Sequence, residues 1–310
     1  MSKYAREPLD LSGLHTIPIQ ARGGKVRVEN FAKPYSGNWL DSMPHILAAD
    51  SFRAVVNAIA GAHARKKMIL WGLGGHVIKC GLAPVLIDLM RRGYATAFML
   101  NGAAAIHDFE IAIAGQTSED VEAVLPDGRF GTAEETGREM NAALQNENGF
   151  GEALGQHLEK TADAKYASSS LLCQAYRNST PVTVHVAIGT DTQHTHPTAD
   201  GAAIGRATHQ DFRLLCTLVK DLNDGGVYLN VGSAVILPEV FLKAVSVVRN
   251  LGNPLANFTT ANFDFLQHYR PRVNVVERPH ARSGGHGYSI TGHHEIMTPL
   301  LAAALIESKA

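Results

Sequence analysis

The sequence has little that could be cross-linked, little that could cross a bilayer and no excess of charge. Its three cysteines, Cys80, Cys173 and Cys216, lie far apart and form no CxxC pair. That argues against a disulfide framework and against a cysteine-based zinc site, and it fits a reducing cytosol. The longest apolar runs, such as residues 299–306, fall well short of the about 20 residues that a membrane span needs. The first residues, Met1-Ser2-Lys3-Tyr4-Ala5-Arg6-Glu7, lack the apolar core of a signal peptide, so a cytoplasmic chain with no membrane partner is expected. Lys plus Arg number 28 and Asp plus Glu 29, a net charge of −1. Such a surface lacks the cationic excess of a general nucleic-acid binder. No internal repeat, no low-complexity linker and no GxSxG nucleophile motif is present. What is plentiful is histidine, with 15 residues, mostly in the second half.

The pattern along the chain reads as alternating α and β. Residues 1–40 form an irregular N-terminal arm, broken by Gly23-Gly24 and Pro34, and 41–310 form one α/β domain. Helical spacing runs over 43–64, with Asp50-Ser51 able to cap a second helix inside it. A short apolar strand at 67–71 meets Gly72-Leu73-Gly74-Gly75, and an amphipathic helix follows over 77–92, with Pro84 kinking it or marking its first turn. The spacing predicts further strands at 94–100, 181–187, 225–231, 255–261 and 272–276. It predicts helices at 132–145, 168–178, 209–222, 235–250 and 296–308, with a long loop over 188–206. Strands alternating with helices imply a Rossmann-like, mostly parallel sheet with helices on both faces.

In such a sheet, ligands bind outside the carboxyl ends of the strands. The segments expected there are rich in small and polar residues: Gly72, Gly74, Gly75 and His76; Asn101 and Gly102; Asp191; Gly232 and Ser233; Thr260 and Asp264. Small residues let the backbone approach a ligand, although tight β-to-α turns need glycine in any case. Val77 stands where a third glycine would complete GxGxxG, so the dinucleotide fingerprint is absent. His194 and His196 near Asp191, or His293, His294 and Glu295, could ligate a metal. A single histidine in a loop is more often hydrogen-bonded or solvated, and no metal site is assigned. Histidine suits acid–base work near neutral pH equally well. Ser168-Ser169-Ser170 reads as a helix cap rather than a nucleophile.

Over residues 67–308 the order of these segments resembles the deoxyhypusine synthase family and its homospermidine-synthase-like relatives. The stretches that carry the resemblance are residues 72–81, 170–182 and 226–251, the turn Thr260-Ala261-Asn262-Phe263-Asp264, and Pro299-Leu300-Leu301 in the last helix. The resemblance implies a single Rossmann-like domain, NAD as cofactor, a polyamine-related substrate, transferase chemistry and a homotetramer. The cofactor turn of the family is similar to Gly72 through His76, with His76 where the family has Asn. A Thr-Ala-Gly-Gly turn is similar to Asn101-Gly102-Ala103, but the two acids that follow it are replaced by the later Asp108 and Glu110. The family's aspartate before the last helix aligns near His293.

The main departure is the catalytic lysine. Residues 280–299 contain none, and Arg282, His286, His293 and His294 stand there instead. An imine intermediate needs an amine, so the family's route is not expected. The leading expectation is an NAD-binding enzyme acting on a small molecule, with His286 or His293 as acid or base and Asp191 or Glu295 orienting it. A metal-dependent hydrolase or lyase built from His194, His196, Asp191 and His293 is the second reading. A non-catalytic, ligand-binding oligomer is the third.

Overall fold

The computed structural model describes residues 9–21, 27–145 and 148–307. The chain divides into two units, Met1–Ala49 and Asp50–Ala310. The first holds the short turns Ile19–Ala21 and Val28–Asn30 and the one-turn helix Trp39–Ser42. Asn38 starts that helix by accepting the Leu40 amide on its side chain at 2.9 Å. The arm expected over 1–40 falls wholly in this unit, and Gly23-Gly24 lies outside the described residues.

The second unit carries a six-stranded parallel sheet: β1 (Ile69–Leu73), β2 (Ala97–Asn101), β3 (Val182–His185), β4 (Val227–Val231), β5 (Thr259–Asp264) and β6 (His286–Thr291). The strand order is β3-β2-β1-β4-β5-β6, with every neighbouring pair parallel. This is the doubly wound α/β arrangement expected from the alternation. The helices used below are α1 (Leu47–Ala64), α2 (Gly75–Lys79), α3 (Ala83–Arg91), α4 (Gly102–Ala114), α5 (Glu134–Ala143), α6 (Phe150–Thr161), α7 (Leu171–Arg177), α8 (Gly201–Lys220), α9 (Ile236–Asn250) and α10 (His294–Glu307).

Every residue of β1 and β4 is buried, as a central parallel strand covered on both faces requires. Successive side chains point to opposite faces. Leu70, Met99 and Tyr228 join α8 and α9 in one core, with Leu215, Leu222, Phe241 and Val245. The Tyr228 and Phe241 rings stack with centroids 3.9 Å apart. Trp71 faces the other way; its indole N–H donates to the Tyr94 carbonyl at 3.0 Å, and the Tyr94 hydroxyl donates to the Leu305 carbonyl of α10 at 2.7 Å.

Several elements differ from the local reading. The helix expected over 77–92 is two helices: Gly81, at φ +74°, ends the first, and Pro84 sits in the first turn of the second. Residues 272–276 are a π-helix over Arg272–Glu277, not a strand. The alternating Val273 and Val275 imitate a strand, yet the Arg272 amide bonds back to the His268 carbonyl. The sixth strand is instead His286–Thr291, a mostly exposed or half-buried edge strand whose polar, glycine-containing sequence reads as a loop. Helix α4 begins directly at Gly102, and α8 begins at Gly201, where Asp200 accepts the Ala202 amide at 2.8 Å, inside the expected loop.

Candidate functional site

In this strand order the chain reverses direction of sheet growth between β1 and β4, and the crevice at that switch is where doubly wound sheets bind ligands. Two glycine turns meet there. The Gly74 amide donates to the Val231 carbonyl at 2.9 Å, and a Cβ on Gly74 would stand 2.0 Å from the Gly232 carbonyl oxygen. Only glycine allows this approach. Gly232 itself has φ +70°, and its missing Cβ faces the His294 ring at 2.8 Å from Nε2.

The sequence points to His293 as acid or base, and the buried His294 beside it is the better placed. It starts α10, is 1% exposed, and neither ring nitrogen has a hydrogen-bond partner among the described residues. Its Nε2 lies 3.7 Å from Asp264 Oδ1 at the end of β5. Burial lowers its pKa, and the Asp264 carboxylate pulls the other way. The resulting neutral imidazole can accept a proton. A buried polar ring with no partner is rare in folded proteins and marks a place where a ligand or water belongs.

Around it the carboxyl edge is polar from within the sheet. Asn230 of β4 donates to Asn262 Oδ1 of β5 at 2.7 Å and to the Ser233 carbonyl at 2.9 Å. Asn262 donates to Gln267 at 2.8 Å, and Gln267 to the Ile290 carbonyl of β6 at 3.1 Å. Asn230 Oδ1 is left without a partner among the described residues. Phe265 packs between the histidines, stacked on His293 at 6.0 Å and edge-on to His76 and His294 at 6.3 and 6.1 Å. Asparagines inside strands carry no sequence signal for a site, because their meaning depends on register.

The second half of the edge is formed by β2 and β3. Asn101 caps α4 by accepting the Ala104 amide at 2.9 Å. Asp191, in the segment after β3, presses on Gly102 so closely that a Cβ there would be 2.1 Å from Asp191 Oδ2. That oxygen has no partner, and burial raises the Asp191 pKa to about 6. From here a cleft of about 1200 Å³ runs along α4. Five carboxylates line it, Glu110, Glu119, Glu135, Glu139 and Asp191, against one lysine, Lys79. Glu110 accepts from Thr117 and from Thr136, and His107 Nδ1 is 2.7 Å from Thr117 Oγ1. Burial, then Lys79, lowers the His107 pKa to about 4. The fold gathers these acids from segments that are far apart in sequence.

Not every expected site residue is here. Gly74, Gly75, His76, Gly232, Ser233, Asp264, His293 and Glu295 end strands or begin the following turns or helices at this edge, as do Asn101, Gly102 and Asp191. His286 lies elsewhere on the sheet. It pairs with Thr259 at the amino ends of β6 and β5, whereas Asp264 pairs with Thr291 at the carboxyl end. Five residues of strand, about 16 Å, separate the two ends. Thr260 is likewise near the amino end, bonded to the Val275 carbonyl and to His280, both at the rear of the site. Gly72 is inside β1, where it makes room for the Tyr228 hydroxyl, 2.7 Å from its absent Cβ. His194 and His196 do not converge on a metal site. His194 Nδ1 accepts the Gly189 amide, and His196 pairs with Thr198 and Glu134.

No family model matches the chain, and no curated protein is significantly similar to it. Solved structures share its fold at low identity. A conserved candidate LOR/SDH protein from Methanococcus maripaludis S2 is 16% identical, with a TM-score of 0.53 over 85% of this chain and 70% of that one. AgrE in a ternary complex with ornithine and NAD+ is 14% identical, with a TM-score of 0.53 over 84% of this chain and 34% of that one, so the chain spans about a third of AgrE's length. A candidate deoxyhypusine synthase from Entamoeba histolytica is 10% identical, with a TM-score of 0.51 over 84% and 88% of the two chains. The α/β fold is therefore common to all of them.

Proposed function

We propose that this chain is an enzyme that binds NAD across the β1/β4 crevice and acts on a small amine, with His294 moving the proton. The observation that carries the reading is the meeting of the Gly74 and Gly232 turns at the switch point beside a buried histidine without a partner. A dinucleotide needs backbone approached closely and polar groups left free, and Gly74, Gly232 and Asn230 Oδ1 provide both. AgrE, which shares this fold, was crystallised with ornithine and NAD+, in keeping with such a cofactor. NAD would supply a hydride acceptor. His294, neutral at pH 7, takes the proton that a substrate ammonium must lose before its carbon gives up hydride, and Asp264 stabilises the charged ring that results. The acidic cleft along α4 holds the amine. No lysine imine is involved. Residues 280–299 have no lysine, and the cleft's Lys79 comes from α2.

The test is a thermal-shift titration with NAD+ and NADH, followed by a panel of diamines and basic amino acids read by NADH absorbance. NAD+ at about 100 times its dissociation constant should add about 2.7 kcal/mol of stability. His294→Gln should keep the NAD+ shift and lose turnover. A midpoint indifferent to both nucleotides at millimolar concentration would overturn the proposal.

A further inference from the structure

Three side chains from two segments converge on one point at the carboxyl edge, and none of them has a role in the proposed hydride transfer. His76 on α2 and Cys80 at its C-cap lie one helical turn apart, with the Cys80 amide bonded to the His76 carbonyl at 2.9 Å. Residues four apart share one face of a helix. Glu295, in the first turn of α10, reaches that face and brings its Oε2 to 3.8 Å from Cys80 Sγ. The ligand atoms of the three all lie within 4.8 Å of one another. Points so spaced fit within about 2.8 Å of a common centre, against zinc bond lengths of about 2.0–2.3 Å. For tetrahedral zinc, sulfur and oxygen ligands sit about 3.6 Å apart, close to the spacing seen here. A small side-chain movement closes the set.

We propose that His76, Cys80 and Glu295 form a binding site for a divalent transition-metal ion of the zinc class. One nitrogen, one sulfur and one oxygen donor make the borderline set that zinc takes, and magnesium or calcium, which want oxygen alone, are excluded. Three protein donors leave a fourth tetrahedral position for water or a substrate oxygen, the pattern of a reactive rather than a structural zinc. Two further observations single out this spot. His293 Nδ1 is 3.9 Å from the other oxygen of Glu295, so another nitrogen donor stands beside the set. The His294 ring, buried and without a partner, is 5.9 Å from that of His76. In sequence Glu295 groups with its neighbours His293 and His294 rather than with His76-x-x-x-Cys80, since 215 positions separate the thiol from the carboxylate. The site does not depend on nucleotide binding.

Cobalt(II) tests it, using the full reduced chain freed of metal. The expected result is uptake of one equivalent, with thiolate-to-cobalt absorption in the near ultraviolet and zinc displacing the signal. Cys80→Ser should abolish that band, while Cys216→Ser keeps it. Glu295→Gln should weaken binding by more than the about 10–100-fold typical of an outer-shell partner. Should Cys80→Ser not fold, His76→Ala at an exposed position reads the same loss. No stoichiometric uptake, or a band that survives Cys80→Ser, refutes the site. Since the readout is the cobalt spectrum, failure here leaves NAD binding standing, and the converse also holds.

Discussion

Asp191 shows how one buried side chain can cost the fold stability. It is buried against Gly102 with one oxygen unpartnered, and its pKa is raised to about 6. Asp108 and Asp211 are also raised, to about 6 and about 7, by burial. A carboxyl with a raised folded pKa contributes stability that is complete below its unfolded value, near 4, and lost as pH climbs through the folded value. The three acids therefore weaken the fold between about pH 4 and pH 7. His107 and His294, with lowered pKa values, act in the opposite sense as pH falls below their unfolded value of 6.5. Their presence makes the bare pH curve ambiguous, so a variant must be compared. Asp191→Asn should reduce the loss of thermal stability between pH 4 and pH 7. A wild-type slope in that variant would mean that Asp191 is charged without cost. Gly74→Ala tests the crevice. Its Cβ meets a backbone oxygen that cannot turn aside, so overpacking should cost about 1–3 kcal/mol in urea denaturation.

Elements place these residues, and their ends do most of the placing. Helix α7 begins at Ser170, whose Oγ accepts the Cys173 amide at 3.1 Å and donates to Asp108 at 2.7 Å. Asp108 in turn accepts the Leu171 and Leu172 amides at 2.7 and 2.8 Å. One carboxylate of α4 thus satisfies the start of α7. Ser170→Ala should cost about 1–2 kcal/mol, at the upper end for a lost cap, because Asp108 also loses its hydroxyl partner. A change below a few tenths would show that water replaces the hydroxyl. The Ser170 cap was legible in sequence, and Pro84 in a first turn was one of two readings of that proline, because capping is a local transaction between a side chain and the next few amides. Strand β6 and the π-helix were not. An edge strand has one neighbour and little apolar burial, so the pattern that betrays a central strand is missing from His286–Thr291. The valines of Arg272–Glu277 supply a false copy of it.

At the scale of the molecule, the acidic cleft is a field rather than a set of pairs. Five carboxylates and one lysine line it, in a chain whose net charge is only −1. Such a concentration attracts cations and is screened by salt, with a Debye length of about 10 Å at 0.1 M. Diamine affinity measured calorimetrically should fall several-fold, of order 5-fold, between about 0.05 and 0.5 M salt. An affinity indifferent to salt would place the amine elsewhere. The sequence by itself determined the alternation of helices and strands, the near-neutral surface and the crowding of small and polar residues after strands β1, β2 and β4. These follow from local periodicity, composition and turn chemistry. Only the tertiary structure decided which polar residues meet. Register put His286 at the far end of the sheet from Asp264, and burial distinguished His294 from its exposed neighbour His293. The packing of α10 against the strand ends brought Glu295 to Cys80. Distance between residues remote in sequence is set by strand order and helix packing, and neither is written in any single segment.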